Sequence, residues 1–259
     1  MVTLFSYKVS PYAAKVRAIL RYKGIAFDER IVDPLDRREL KRLSGQIAVP
    51  VVQDGDDVVA DSTAIARFLD EKYPQKSIIP KDPVLRARAF LLEEWADEGL
   101  PRVVQPVRWL MPGNVEKSCA LMRSAYPEGR FQDAKWKVIQ EVLLWGMRRQ
   151  YAPRPPMTLK PTRILNRLAE CMDYLDGALA ETGWLAGTEP SVADFAVYGF
   201  LNFLQVLDGW ETVKARRRVA KLVKTLGETV DKVEAYDVED AAQLDARQHR
   251  EEKKRLPLV

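Results

Sequence analysis

Apolar and polar positions recur along this chain with two different periods, and the change falls near residue 80. Residues 2–7 are rich in β-branched and aromatic types and predict a strand. Val16, Ile19, Leu20 and Lys23 then fall at helical spacing. Pro11 suits the first helical position and Gly24 the end. Residues 27–32 predict a second strand, and the charged stretch 36–43 a short exposed helix. Val49-Pro50-Val51-Val52-Gln53 and Val58-Val59-Ala60, joined through Asp54-Gly55, predict a hairpin. Asp61-Ser62 opens a helix that runs to about Tyr73, with Ile65, Phe68 and Leu69 on one face and Pro74 stopping it. The order is strand, helix, strand, helix, hairpin, helix.

Residues 74–83 hold three prolines and little periodicity, so they read as a linker. Everything beyond predicts helix. Over 84–100 the pattern buries Leu91, Leu92 and Trp95. Strong helical patterns follow at 132–151 and 162–182. Residues 191–207 are apolar almost all round, as a central buried helix requires, and 213–233 suit a charged surface helix. The stretch 118–161 carries Pro127, Gly129, Pro153, Pro155, Pro156 and Pro161 and predicts an irregular excursion between helices. The expected division is a domain over 1–76, an all-helical domain over 84–236 with the extended 118–161 excursion, and a polar tail over 237–259.

Composition narrows the chemistry. With 259 residues, 47% hydrophobic and 30% charged, the chain has the balance of an ordinary globular protein. No run of about eighteen apolar residues suits a membrane span. Met1-Val2-Thr3-Leu4 lacks the basic and apolar marks of a secretory signal. Cys119 and Cys171 are too few for a disulfide framework, so a reducing, cytoplasmic setting is expected and both thiols read as inert. His249, the single histidine, lies in the tail; His-based catalysis and His-ligated metals are not expected, and no zinc spacing exists. The net charge of +4 is mild, and the dense basic run Arg216-Arg217-Arg218 reads as a solvated face, so no nucleic-acid partner is expected.

Three short motifs stand at successive strand–helix junctions, and each has a structural explanation beside a chemical one. In Ser10-Pro11-Tyr12-Ala13, Ser is a favoured helix cap and Pro a favoured first residue. The same hydroxyl at a helix N-terminus can also donate to an anion, and a thiolate suits that place because positive potential lowers a thiol pKa. Dithiol exchange is excluded, since neither Ser10 nor Ala13 is cysteine. Ala48-Val49-Pro50-Val51 opens a strand. Its proline is either an ordinary trans residue or a cis one that leaves the Val49 backbone to pair with an extended peptide. Asp61-Ser62-Thr63 either caps its helix or receives a ligand carboxylate at Ser62 and an ammonium at Asp61.

Taken together, a thiolate site, a peptide clamp and an amino-acid head-group site describe glutathione. On Ser10-Pro11-Tyr12 with Lys15-Val16-Arg17, Gly45-Gln46 with Val49-Pro50, and Asp61-Ser62-Thr63-Ala64-Ile65, the chain resembles the glutathione transferase family. Pro190-Ser191-Val192-Ala193-Asp194-Phe195 adds one point of likeness in the helical half, where Ser191 and Asp194 also predict a capping box. The resemblance implies an α/β thioredoxin-like N-terminal domain followed by an all-α C-terminal domain. It further implies glutathione as co-substrate, no metal, a small apolar electrophile as second substrate and a homodimer.

Under the resemblance Ser10 activates the thiol, with Tyr7 as rival and Ser6 beside it. Val49 and a cis Pro50 hold the cysteinyl backbone, Asp61 and Ser62 the γ-glutamyl end, and Gln46 the glycine end. Asp61 is one methylene shorter than the Glu many members carry. Tyr12, Trp109 and Tyr126 are candidates for the second-substrate pocket. The activity implied is conjugation through a glutathione thiolate, with dehalogenation, ether cleavage and isomerisation as relatives of the same step. A transferase-fold module without catalysis is the alternative from another class.

Overall fold

A computed structural model describes residues 1–33, 36–124, 133–151 and 160–228. The polar tail and Tyr126 therefore lie outside the described residues. The first half holds β1 (Val2–Ser6), α1 (Pro11–Tyr22), β2 (Phe27–Ile31), α2 (Arg38–Ser44), β3 (Val51–Asp54), β4 (Asp57–Ala60) and α3 (Ser62–Lys72). The strands form one sheet in the order β2-β1-β3-β4, with β1 parallel to β2 and antiparallel to β3. Gly55 turns the β3–β4 hairpin at φ 67°, where a side chain would be strained. Phe5, Leu40 and Val51 pack α2 on one face of the sheet, while Leu4, Val16, Ile19, Ile65 and Leu69 pack α1 and α3 on the other.

The second half comprises α4 (Pro83–Glu98), α5 (Pro101–Leu110), α6 (Pro112–Ser124), α7 (Asp133–Tyr151), α8 (Pro161–Ala178), α9 (Val192–Leu201), α10 (Trp210–Lys214) and α11 (Arg217–Glu228), with a 3-10 turn (Asn202–Val206) after α9. Every residue of α9 is buried, as its unbroken apolar run predicts. It packs on α1 and α4, so one apolar cluster runs through both halves. Gly199 makes this possible, because a Cβ there would stand 2.5 Å from the carbonyl of Pro11.

Two expectations need correction. Leu91 and Trp95 are exposed at 73% and 37%, not buried. The face that α4 buries consists of Ala89, Glu93 and Ala96: small residues allow close approach to α9, and Glu93 meets a cation from α1. The excursion is also less irregular at its start than expected, since α6 runs over 112–124, while the helix expected over 132–151 is found as α7. Trp109, Cys119, Trp136 and Leu144 form a satellite core there. Among the described residues no helix is long and apolar enough to cross a membrane, and no group of three or more His, Cys, Asp or Glu could hold a metal.

Candidate active site

Strand register gathers three loops at one end of the sheet. Phe5 of β1 pairs with Val51 of β3, and Val51 pairs with Ala60 of β4. The turn after β1 with Ser10, the entry to β3 with Val49-Pro50, and Asp61 after β4 therefore leave the sheet side by side.

Ser10 caps α1 from an extended backbone (φ −85°, ψ 121°), its Oγ accepting from the Ala13 amide at 3.3 Å. The first turn of α1 holds no acidic residue. A hydroxyl carries one donor and two acceptor positions. The cap uses an acceptor position, and among the described residues the Ser10 O–H donates to no protein group. Ser10 is half-buried, so its O–H can reach a ligand at the positive end of the helix.

The rivals are placed differently. Ser6 is fully buried and its hydroxyl donates to Glu29, which also takes the Arg17 Nε–H at 2.8 Å. Tyr7 lies with its ring 5.6 Å from the Arg37 guanidinium, and its Oη is closed off from solvent. Burial pushes the Tyr7 phenol up, with Arg37 pulling it back and Asp33 adding to the rise.

The Val49–Pro50 bond is cis. Ladder pairing of β3 begins at Val51, so the Val49 backbone lies outside it. Gln46 follows the left-handed Gly45 that ends α2, and its side chain is half-buried.

Asp61 has φ 79° and ψ 131°, a conformation costing a non-glycine residue about 1–3 kcal/mol. Its Oδ1 accepts from the Thr63 and Ala64 amides at 3.0 and 2.9 Å and so caps α3, while the exposed carboxylate keeps its other oxygen toward solvent. Ser62 departs from expectation. It is 3% exposed, and its hydroxyl lies 3.4 Å from both Lys15 Nζ and Asp97 Oδ2. This hydroxyl and the Thr63 and Ala64 amides thus already have partners within the chain.

The partners of Ser62 form a buried network that sequence reading missed. Lys15 Nζ bonds Glu93, Asp97 Oδ2 at 2.8 Å and Thr63 Oγ1 at 3.4 Å, joining α1, α3 and α4. One ammonium thus faces two carboxylates. Burial pushes the Asp97 carboxyl up more than Lys15 pulls it down, and Asp97 Oδ1 is buried without a hydrogen bond among the described residues. Positions 13–20 of α1 are all buried, so the Lys15 charge must find its partners inside.

Tyr12 is half-buried, stacks edge-on against Phe200 at 5.3 Å and donates its hydroxyl to the Asp97 carbonyl at 3.0 Å. Tyr151, at the end of α7, is close enough to raise the Tyr12 phenol electrostatically, after burial and Asp97. Trp109 corrects another expectation. It is 3% exposed in the satellite core, its indole N–H donating to Gln105 Oε1 at 2.9 Å, so it lines no open pocket. The excursion buries it by laying α6 and α7 over α5.

This end of the sheet offers a free donor for an anion, an unpaired backbone segment and an exposed carboxylate. The model of the glutathione S-transferase N-terminal domain matches residues 4–77, and that of the C-terminal domain residues 150–225. The chain belongs to the glutathione transferase family. Within the family it is 36% identical over 93 residues to a stringent starvation protein A homolog of Pasteurella multocida, covering 36% of this chain and 44% of that one. It spans less than half the length of the first curated relatives it matches. LigF of Sphingobium sp. is 24% identical over 208 residues, 78% of each chain. The solved structure of beta-etherase LigF superposes with a TM-score of 0.64 at 19% identity, over 92% of this chain and 98% of that one. A glutathione transferase homolog of Drosophila mojavensis, solved with bound glutathione, gives 0.59 at 21% identity over 95% and 94%. These superpositions place the transferase fold over nearly the whole chain.

Proposed function

We propose that the protein is a serine-type glutathione transferase. Ser10 donates its O–H to the glutathione sulfur and, with the α1 N-terminus, keeps it a thiolate. The Val49 backbone pairs with the cysteinyl unit, Asp61 takes the γ-glutamyl ammonium, and Gln46 approaches the glycine end. The thiolate attacks an electrophilic carbon of an apolar molecule; a C–S bond forms, and the leaving group departs with its electron pair. The supporting observation is the Ser10 hydroxyl, half-buried at the cap with its O–H uncommitted among the described residues. Likeness to a beta-etherase over 78% of both chains makes ether cleavage the first subtype to assay. A homodimer in the cytoplasm suits this reading.

The second reading is a transferase-fold binding or assembly module. One observation favours it: Ser62 and the α3 amides at Thr63 and Ala64 already have partners within the chain. Retention on immobilised glutathione, followed by titration of the bound thiol, separates the two. Retention with a lowered thiol pKa that Ser10→Ala restores toward that of free thiol supports the enzyme. A folded protein that is not retained supports the module. Retention and a lowered pKa that survive Ser10→Ala move the activating role to Tyr7 or to backbone amides.

A further inference from the structure

The loop between β1 and α1 is held by its carbonyls. Arg17 Nη2 donates to the Tyr7 carbonyl at 3.2 Å and the Lys8 carbonyl at 3.5 Å. Arg108 Nη1, from α5, donates to the Val9 carbonyl at 3.4 Å. Two buried guanidiniums, one from each half of the molecule, therefore take three consecutive carbonyls immediately before Ser10. Arg108 is itself fixed. It is 3% exposed, and its guanidinium lies 4.8 Å from the Trp109 ring centroid and 5.0 Å from that of Phe203. A planar cation between aromatic faces has little freedom to swing away from its acceptor.

We infer that Arg108 is a positioning residue for the Ser10 loop: it anchors the Val9 carbonyl from the helical half and thereby sets where the Ser10 hydroxyl stands. The inference rests on the reading of Ser10 proposed above. The Tyr7 carbonyl is drawn two ways, taking the Ser10 amide at 3.0 Å as well as Arg17. Arg17 acts within the first half and is braced by Glu29. Arg108 alone of the two ties the loop to the helical half, so the excursion that buries Trp109 also bears on the site. Other charges near the loop include Lys8 within it, Asp33 and Arg37 beside Tyr7, and Asp97 held by Lys15.

The test uses the full-length protein, glutathione as probe, and Arg108→Met beside Arg108→Lys. Arg108→Met should lower kcat about tenfold or more while glutathione KM stays within about threefold, because the binding groups at Val49 and Asp61 are untouched. The acid limb of its pH profile should move up by about half a unit, and Arg108→Lys should recover part of both effects. Hydrogen exchange at the Ser10 amide should quicken in the Met variant. A folded Met variant with wild-type exchange and a wild-type pH limb overturns the inference. Should that variant fail to fold, the wild-type protein decides. The Ser10 amide should then exchange together with the amides of α5, and a loop that opens independently of α5 refutes the anchor. If wild-type protein binds no glutathione while Ser10 protection still depends on Arg108, the functional reading fails and the anchor stands. A lowered thiol pKa indifferent to Arg108 is the reverse result.

Discussion

Two serines cap helices in this chain, and their surroundings give them opposite capacities. Ser191 opens α9 inside the protein. Its amide and hydroxyl both donate to Asp194 Oδ2, at 2.8 and 2.7 Å, and the Leu185 amide donates to Oδ1 at 2.9 Å. Ser191 and Asp194 are both buried, and the carboxylate is held by three donors. Ser10 opens α1 at the end of the sheet, half-buried, with Ala13 standing where the other helix has its acid. Its oxygen accepts one amide and its O–H is not claimed by a neighbour. One residue type at one helical position is structural where the first turn supplies a carboxylate and water is shut out. It is available for chemistry where the first turn is apolar and the cap faces outward.

The hardest test of the closed cap is Asp194→Ala. It leaves the Leu185 and Ser191 amides buried without a partner, and should cost about 4 kcal/mol in a denaturant titration. The bound thiol of a folded remnant should titrate as in wild type. A loss well under half that size would mean that α9 is held by packing alone.

The same carboxylate makes the closed cap pH-sensitive. Burial raises Asp194 to about 6, against the hydrogen bonds from Ser191 and Leu185 that pull it down. An acid raised in the folded state binds its proton more tightly there than in the unfolded chain. Stability from this group is therefore full below about pH 4 and is lost as pH rises toward 6, by up to about 3 kcal/mol. Asp97, also raised by burial, adds in the same direction. Thermal melts between pH 4 and 7 should show this contribution, and the slope should flatten in Asp194→Asn.

The open cap should respond in activity. Ser10→Ala should lower turnover about a hundredfold, which is about 2.7 kcal/mol of transition-state stabilisation, while costing about 1 kcal/mol of stability or less. Steady-state kinetics beside a denaturation curve separate the two numbers. A variant with unchanged turnover removes Ser10 from the chemistry.

Much of the first half could be read from sequence because its elements end at residues whose backbone preferences are strong: Pro11, Gly24, Gly55 and Pro74. The strand–helix order and the position of Ser10 follow from them. In the helical half the rule that large apolar residues point inward failed on α4. Leu91 and Trp95 lie outward because the close packing of α9 rewards Ala89 and Ala96 instead. Trp109 was misplaced for a related reason: Cys119, Trp136 and Leu144 cover it, and no local pattern says that α6 and α7 fold back over α5. The Lys15 network and the Arg108 anchor could not be seen at all. Their partners come from segments 47 to 99 residues away, and nothing local marks Glu93 or Val9 as an acceptor. Local preference writes caps and turns into a sequence; long-range charge pairing is decided only when the halves meet.

Ser191→Ala is the smallest change and isolates what the hydroxyl itself does in a closed cap. Asp194 keeps the amides of Ser191 and Leu185, so the loss is confined to what the hydroxyl itself does: its bond to the carboxylate and its acceptance of the Asp194 amide in the capping box. The expected cost is about 1 kcal/mol, with turnover and thiol titration unaltered. With one bond fewer holding the charge, Asp194 should titrate higher than in wild type. The pH-dependent loss of stability would then begin at the same unfolded-state value but extend further upward. Stability curves of Ser191→Ala and wild type across pH 4 to 8 measure both effects. If the two curves are parallel throughout, the hydroxyl contributes equally to both protonation states, and Ser191 is a neutral cap whose acid is held by the amides alone.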